Sequence, residues 1–319
     1  MDRYREECEL YMEAVLKIDN LTKHFGKRCV IDNISFEIYA GEVFGFLGPN
    51  GAGKTTTIKM IMGFLSIDQG EIFINGLNVK KDYEKAMASI GGIVENPEMY
   101  NNLSGKTNLK MYARLHDGVT KERINEVVEL VGMQNRVKEK VKKYSLGMKQ
   151  RIGLAQAILH KPRILVLDEP TNGLDPAGIR DLRDILKKLA HEENVAVFVS
   201  SHMLSEMELM CDRVAIINNG TLLGVKLIKD LISEVSGRTS YRFITKQADK
   251  AEELLTPMYE GIIKNKTDEY IELEIEEDKV PEINTLLATN GIGIFGVKKV
   301  ESSLEDAFMN ITGGGNSIA

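Results

Sequence analysis

The residues most able to do chemistry lie together in one glycine-rich segment near the start of the chain. The segment has two glycines with four residues between them, followed by lysine and threonine, in the order Gly48, Pro49, Asn50, Gly51, Ala52, Gly53, Lys54 and Thr55. This spacing is typical of loops in which backbone N–H groups and a helix N-terminus surround a phosphate. Lys54 adds a full positive charge, and Thr55 is placed to offer its hydroxyl to Mg²⁺. A glycine-rich turn without a ligand is the alternative.

Two carboxylates and a histidine follow other apolar runs. Asp168 and Glu169 come directly after the run 164–167, and His202 comes shortly after the run 195–199. A carboxylate at the end of a buried strand can reach Mg²⁺ beside a phosphate loop, and the second acid can polarise an attacking water. His202 at a strand end can donate a hydrogen bond to a γ-phosphate. The alternatives are a solvated acidic loop and a structural or exposed histidine.

A second candidate anion site lies at the predicted start of a helix in residues 144–151. Ser145 is a plausible N-cap, Gly147 follows it, and basic residues come next. A serine hydroxyl, a glycine backbone and a helix N-terminus together can bind an anion. Because the chain already has one phosphate loop, this second site predicts a nucleotide supplied by a partner. An ordinary capped helix is the alternative.

The elements that must position these residues alternate between strands and helices. Short or continuous apolar runs predict strands at 15–18, 30–39, 43–47, 70–76, 164–167 and 195–199. Helical apolar spacing predicts helices at 56–64, throughout 104–160, at 177–190 and at 203–210. The alternation indicates an α/β core with an inserted helical segment. The glycine loop then lies between a strand and a helix, as a phosphate loop requires.

Composition changes after Gly224, which indicates a second, smaller domain. Its patterns predict the order strand, helix, strand, strand, helix, strand, helix at 241–245, 248–256, 261–265, 269–276, 279–289, 292–300 and 303–311. The first six elements resemble a split βαββαβ unit.

Composition and charge restrict the class of protein. The chain has 319 residues and a net charge of −6, which does not suggest a nucleic-acid partner. Its three cysteines, Cys8, Cys29 and Cys211, are scattered without metal-ligand spacing, as in a reducing compartment. The acidic N-terminus does not resemble a secretory signal, and no apolar run approaches the ~18 residues that cross a bilayer. If the protein works at a membrane, we expect another chain to supply the spans.

Taken in order, these motifs resemble the nucleotide-binding subunit of an ABC transporter over roughly residues 15–226. The phosphate loop matches, residues 164–170 match the family's second acidic motif, residues 172–175 match its D-loop, and His202 matches its switch histidine.

The signature motif of that family, usually Leu-Ser-Gly-Gly-Gln, corresponds to residues 144–148. Ser145 and Gly147 are retained, whereas Leu146 and Met148 depart from the pattern.

The resemblance implies the α/β fold of P-loop NTPases. It predicts an ABC-type ATPase core, with a mixed sheet and a helical subdomain, and a small α+β C-terminal domain. The predicted division is an N-terminal tail at 1–14, the ATPase domain at 15–226 with its helical subdomain at about 97–160, a linker at 227–240, the C-terminal domain at 241–311 and a flexible tail at 312–319.

The resemblance also implies ATP and Mg²⁺ as cofactors. Lys54 and the loop amides would hold the β- and γ-phosphates, and Thr56 the α-phosphate side. Thr55 and Asp168 would serve Mg²⁺. Phe25 corresponds to the aromatic that stacks on adenine, with a core aromatic at a strand end as the alternative.

Further roles follow for hydrolysis and dimer formation. Glu169 would be the general base, and His202 would sense the γ-phosphate. Asp175 would organise the dimer interface. Ser145 and Gly147 would close over ATP bound by the opposing copy.

One departure from the family concerns the loop that joins the core to the helical insert. The family usually has glutamine there, whereas this chain has Glu95. A carboxylate ligates Mg²⁺ at least as well as an amide does. We therefore expect Glu95 to be a further metal ligand.

The implied partners are a second copy of the chain in a head-to-tail dimer and an integral membrane permease. The implied location is the cytoplasmic face of a bacterial cell membrane. Glu95, the signature variant and the short C-terminal domain together resemble bacitracin-resistance and lantibiotic-immunity exporters. This resemblance implies ATP hydrolysis that powers the export of a drug or peptide antibiotic.

Two alternatives belong to other classes of protein. A soluble ABC ATPase that acts on a macromolecular complex is disfavoured. DNA-repair types insert a long coiled coil between the phosphate loop and the signature, and translation factors carry two modules per chain, whereas this sequence shows neither feature. A nucleotide-binding regulator without turnover is disfavoured by the presence of Glu169 and His202.

Overall fold

A computed structural model describes residues 14–231, 240–259 and 261–300 of the chain. Most of the predicted tail at 1–14, most of the predicted linker at 227–240, the predicted helix at 303–311 and the predicted tail at 312–319 lie outside the described residues. The chain divides into two compact units, Met1–Ile228 and Lys229–Ala319.

The first unit alternates strands and helices. Its strands are β1 (Ala14–Phe25), β2 (Arg28–Tyr39), β3 (Val43–Leu47), β4 (Gln69–Ile74), β5 (Leu77–Asn78), β6 (Ile90–Ile93), β7 (Ile164–Asp168), β8 (Ala196–Ser201), β9 (Arg213–Asn218) and β10 (Thr221–Leu227). Its helices are α1 (Lys54–Ile61), α2 (Tyr83–Ala88), α3 (Gly105–Ala113), α4 (Lys121–Leu130), α5 (Leu146–Ala157), α6 (Pro176–His191) and α7 (Leu204–Met210). None of the helices in the described ranges has the length and apolar character needed to span a membrane.

Two sheets form the body of this unit. The larger has the order β10-β9-β3-β8-β7-β6, in which only the pairing of β10 with β9 is antiparallel. The smaller has the order β2-β1-β4-β5 and is antiparallel. Every residue of β3, β7 and β8 is buried, as expected of parallel strands covered on both faces.

Four phenylalanines join the two sheets. Phe36 comes from β2, Phe44 and Phe46 come from β3, and Phe198 comes from β8. Phe198 is fully buried, and its ring centroid lies 5.5 Å from that of Phe46 and 6.1 Å from those of Phe36 and Phe44. This contact between the sheets supports the strands whose ends carry the candidate site.

The prediction of helix throughout 104–160 is wrong. That segment contains α3, α4 and α5, with a short 3₁₀ turn at Val141–Lys143. Gly132 follows the C-cap of α4 with a left-handed φ of +67°, and Gly118 adopts a φ of +78° in the loop between α3 and α4. Thr120 then begins α4, where its side chain caps the N–H of Arg123.

The second unit has the order β11 (Ser240–Ile244), α8 (Ala248–Leu255), β12 (Ile263–Lys266), β13 (Tyr270–Glu274), α9 (Val280–Thr289) and β14 (Gly296–Val300). Its strands form an antiparallel sheet in the order β12-β13-β11-β14, which is the arrangement of a split βαββαβ unit. Strand β14 begins later than the predicted residue 292, because Ile292 packs in the core of this unit before the strand starts.

The larger sheet brings the candidate residues to one edge. Asp168 lies opposite Ser200 in the β7–β8 register, and Leu47 lies opposite Ser201 in the β3–β8 register. The phosphate loop, the acidic pair and the histidine loop therefore all leave the sheet at the carboxyl ends of neighbouring parallel strands. Open α/β sheets bind their ligands at this edge.

The phenylalanine contact can be tested by truncation. Replacing Phe198 with alanine removes a buried ring shared by both sheets, and we expect it to lower the free energy of unfolding by about 3–5 kcal/mol. Phe64→Ala is the matched control, because Phe64 is 67% exposed and its loss should cost less than about 0.5 kcal/mol. Urea unfolding followed by circular dichroism measures both. If the two variants lose the same free energy of unfolding, Phe198 does not stabilise the contact between the sheets.

Candidate functional site

The glycine loop runs from β3 into α1 and has a backbone that other residues do not readily adopt. Gly53 has a φ of +109°, and a Cβ there would lie 2.3 Å from Cδ1 of Ile31. A Cβ at Gly48 would lie 2.4 Å from the carbonyl oxygen of Ile217. Glycine at these two positions allows the loop to turn tightly against β2 and β9.

Lys54 provides the positive charge of the loop. Its side chain is only 5% exposed, and its Nζ donates to the carbonyl oxygens of Gly48 at 2.8 Å and Pro49 at 3.2 Å. The same nitrogen lies 3.2 Å from Oε1 of Glu169. The loop and the end of β7 are thus joined by one buried ammonium.

Asp168 ends β7 and is buried. Its Oδ1 accepts a hydrogen bond from the Ser200 hydroxyl at 2.6 Å. A buried carboxylate needs such a donor, because burial without a partner is costly.

Glu169 has a left-handed backbone, with a φ of +46°, although it has a side chain. That conformation costs about 1–2 kcal/mol for an ordinary L-residue. The backbone N–H of Glu169 donates to Oγ of Ser200 at 2.9 Å. The side chain contacts three groups, Lys54, Asn172 and His202, and its Oε2 lies 2.6 Å from Nδ2 of Asn172.

These contacts control the charge of Glu169. Burial raises the pKa of its carboxyl, but the hydrogen bond from Asn172 and the contacts with Lys54 and His202 outweigh burial and lower the pKa below its ordinary value. The group is therefore an ionised carboxylate throughout the neutral range of pH. A proton acceptor in hydrolysis must start in this form.

His202 follows β8 and faces Glu169. Its Nδ1 lies 3.0 Å from Oε2 of Glu169, and its side chain is 36% exposed. A second set of contacts lies beside it, where Oε2 of Glu206 accepts from the hydroxyl of Thr171 at 2.6 Å and from that of Ser201 at 3.4 Å. Ser201 in turn accepts from the N–H of Met203 at 2.9 Å, which fixes the backbone next to His202.

Three further candidates lie at the start of α1 and at the end of β1. Thr55 and Thr56 are half-buried in the first turn of α1. Phe25 ends β1 and is 50% exposed, which excludes the alternative of a core aromatic. Nζ of Lys23 lies 5.6 Å from the centroid of the Phe25 ring.

Glu95 lies in the loop after β6 with a φ of +68°. Its Oε1 lies 2.9 Å from Nζ of Lys59 in α1, and its side chain is 66% exposed. Within the described part of the chain, no hydrogen bond or ion pair joins Glu95 to Thr55 or Asp168.

Ser145, Gly147 and Asp175 lie where two helices begin. Ser145 is exposed and caps α5 by accepting from the N–H of Met148 at 3.3 Å. Asp175 caps α6 by accepting from the N–H of Gly178 at 2.9 Å. A Cβ at Gly147 would lie 3.7 Å from Cδ2 of Leu174, so the start of α5 lies beside the 172–175 segment. Neither Ser145 nor Asp175 hydrogen-bonds Lys54, Glu169 or His202 in the described ranges.

Sequence reasoning assigned no role to Asn172, Ser200 or Glu206. Asn172 and Ser200 hydrogen-bond the predicted residues Glu169 and Asp168, and Glu206 accepts from Ser201, which precedes the predicted His202. The signal for Ser200 is its position at the end of an apolar strand that neighbours the strand of Asp168. The contacts of Asn172 and Glu206 depend on loop conformations that spacing does not specify.

Comparison with known proteins places this geometry in a family. A family model described as ABC transporter matches residues 31–172. The ABC transporter ATP-binding protein YhcH of Bacillus subtilis strain 168 is 51% identical over 302 residues, which cover 95% of this chain and 97% of that protein. The chain belongs to the family of ABC transporter ATP-binding proteins.

Two other similarities extend the comparison. The bacitracin transport ATP-binding protein BcrA of Bacillus licheniformis is 39% identical to this ABC protein, over 95% of the chain and 99% of the relative. A solved structure of the ATP-binding subunit of an ABC transporter matches with a TM-score of 0.62 and 27% identity, over 69% of the chain and 92% of that structure.

The comparisons confirm the predicted family and the predicted fold class. This ABC transporter ATP-binding protein has the P-loop ATPase core, with a mixed sheet and a helical segment. Members of the family bind ATP and hydrolyse it to power transport. A role on a macromolecular complex without transport is not supported.

Proposed function

We propose that this ABC protein hydrolyses MgATP at the edge of its parallel sheet to power the export of a drug or peptide antibiotic. The export assignment is supported by the similarity to BcrA, a bacitracin transport ATP-binding protein. The site assignment rests on one observation above all. A single carboxylate, Glu169, contacts both the Lys54 of the phosphate loop and His202 at the end of the neighbouring strand.

ATP binding begins at Lys54. Its ammonium is directed towards the carbonyls of its own loop and towards Glu169, which are all electron-rich oxygens. Phosphate oxygens satisfy the same ammonium, and the loop N–H groups and the N-terminus of α1 add to the attraction. The exposed ring of Phe25 provides a stacking surface for adenine.

The residues present also fit Mg²⁺. Thr55 supplies a half-buried hydroxyl in the first turn of α1, and Asp168 supplies a buried carboxylate at the end of β7. Magnesium in phosphoryl-transfer sites is usually held by one or two protein oxygens together with phosphates and waters. When bound, the ion neutralises the charge that develops on the phosphates.

Hydrolysis requires a base and a group that responds to the γ-phosphate. Glu169 is ionised at neutral pH and is therefore able to polarise the attacking water. His202 directs Nδ1 to Glu169, which leaves Nε2 as the ring nitrogen for a phosphate oxygen. Loss of the γ-phosphate removes the hydrogen bond to His202, and the loop after β8 is then free to change its conformation.

A second copy of the chain completes the site in this proposal. Ser145 is exposed at the N-terminus of α5, where its hydroxyl and the backbone at Gly147 are available to a phosphate from outside the subunit. The start of α5 lies beside the 172–175 segment, which contains Asp175 and also holds Glu169 through Asn172. The dimer interface is therefore connected to the catalytic base of the same subunit.

The membrane permease is proposed to dock near the loop that carries Glu95. A cavity of about 310 Å³ opens there, lined by Phe64, Val94, Pro97, Tyr112, Gly153 and other residues. This cavity joins the end of the α1 segment to the helical insert. A permease segment in this cavity would contact both the α1 segment and the helical insert. The permease would then hold the subunit at the cytoplasmic face of a bacterial membrane.

The central experiment replaces the proposed base. Glu169→Gln keeps the shape of the side chain but removes its charge, and we expect it to lower kcat by about 10²-fold or more. Because ATP then persists, the variant should form a dimer that is stabilised by ATP. Phosphate release measures the rate, and size-exclusion chromatography with ATP measures the dimer.

Glu129→Gln is the matched control, since Glu129 is an exposed acid on α4. The control should retain the parental rate and dimerisation. The proposed function is rejected if Glu169→Gln hydrolyses ATP as fast as this control and forms no dimer with ATP.

Glu95 is proposed as a metal ligand once it is released from Lys59. The substitution Glu95→Gln keeps an oxygen ligand but removes the charge, so we expect it to raise the Mg²⁺ concentration for half-maximal ATPase activity by about 2- to 10-fold. The measurement is a Mg²⁺ titration of activity in the transporter complex, with Glu129→Gln, an exposed acid on α4, as the control. If the Mg²⁺ dependence and the rate are both unchanged, Glu95 is not a metal ligand and its contact is the ion pair with Lys59.

A further inference from the structure

We propose that Ser200 is a positioning residue for ATP hydrolysis. Its one hydroxyl fixes the metal-side carboxylate of Asp168 and the backbone of the proposed base Glu169 at the same time. The inference rests on the proposed roles of these two acids and adds a third residue through which their geometry is set.

The location of Ser200 makes this double contact possible. It is fully buried near the end of β8 and lies opposite Asp168 in the parallel register of β7 and β8. Its Oγ donates to Oδ1 of Asp168 at 2.6 Å and accepts from the N–H of Glu169 at 2.9 Å. A carboxylate only accepts and an amide N–H only donates, so the two contacts fix the direction of the hydroxyl proton.

Each contact has a consequence for the chemistry. The hydrogen bond from Ser200 to Oδ1 orients the carboxylate of Asp168, which would be one of the groups that hold Mg²⁺. The contact with the N–H of Glu169 holds a left-handed residue in place. That backbone conformation directs the Glu169 side chain to Lys54 and His202.

Ser200 also connects the acids to the histidine loop. The next residue, Ser201, accepts from the N–H of Gly48 through its carbonyl at 3.3 Å and holds the backbone of Met203 through its hydroxyl. One strand end therefore contacts the phosphate loop, both acids and the residues that flank His202. The backbone ladder joins β7 to β8, and in the described ranges the Ser200 hydroxyl makes the side-chain hydrogen bond that joins Asp168 to β8.

The test compares Ser200→Ala with Ser200→Thr in the full chain, using ATP and Mg²⁺. Alanine leaves Asp168 and the N–H of Glu169 without their shared partner. We expect kcat to fall about 10- to 100-fold, as for outer residues that orient metal ligands. The KM for ATP should change little, because Lys54 and the loop are untouched, and the Mg²⁺ concentration for half-maximal activity should rise. Threonine keeps the hydroxyl and should restore most of kcat.

Thr245→Val is the control, since it removes a fully buried hydroxyl of the second unit that accepts from the N–H of Gln247. Its kcat and Mg²⁺ dependence should match the parent. The inference is overturned if Ser200→Ala has the same kcat and Mg²⁺ dependence as Thr245→Val. It is also overturned if Ser200→Thr is as slow as a folded Ser200→Ala.

Two further variants keep the result decisive. If Ser200→Ala does not fold, Ser200→Cys serves in its place, because it keeps a similar volume and makes only weak hydrogen bonds. A folded cysteine variant with the parental kcat overturns the inference, and a reduced kcat supports it. Glu169→Gln is measured in parallel. If it hydrolyses ATP as fast as Glu129→Gln and forms no dimer with ATP, the proposed function fails. Loss of activity in Glu169→Gln with normal activity in Ser200→Ala rejects only the role of Ser200.

Discussion

The buried ammonium of Lys54 is the interaction on which the rest of the site depends. A charge that is 95% removed from solvent is stable only with close oxygen partners, and Lys54 obtains them from Gly48, Pro49 and Glu169. Glu169 in turn contacts His202 and Asn172. One cation therefore connects the phosphate loop, the end of β7, the loop after β8 and the start of the D-loop segment. An anion that binds Lys54 therefore alters the contacts of all four segments.

The sheet makes this arrangement possible because parallel strands end together. The register of β3, β7 and β8 brings Leu47, Asp168 and Ser200 to one edge, and the phenylalanines between the sheets hold these strands in place. The glycines of the loop then let its backbone pass close to β2 and β9. The left-handed backbone of Glu169 is unfavourable for an L-residue, and the hydrogen bond from its N–H to Ser200 helps to hold it.

The residues proposed to act on ATP were predictable because their types and spacing follow from phosphate chemistry. Asp168 and Glu169 follow an apolar run and Lys54 follows a glycine loop, and the structure brings all three to one edge of the sheet. The supporting contacts were not predictable, because they depend on strand register and loop conformation. Glycine also limited the helix prediction, since Gly118 in the loop after α3 and Gly132 at the end of α4 interrupt a segment whose apolar spacing continues.

The central claim is that Glu169 and a phosphate share the ammonium of Lys54. Calorimetric titration of Mg²⁺-free ADP into the full-length parent, Glu169→Gln and Glu129→Gln tests it most directly, because ADP carries no γ-phosphate to hydrolyse. Removing the competing carboxylate should make ADP bind several-fold more tightly to Glu169→Gln, while Glu129→Gln should bind as the parent does. If Glu169→Gln binds ADP no more tightly than the parent, Lys54 does not exchange Glu169 for phosphate, and the account is contradicted.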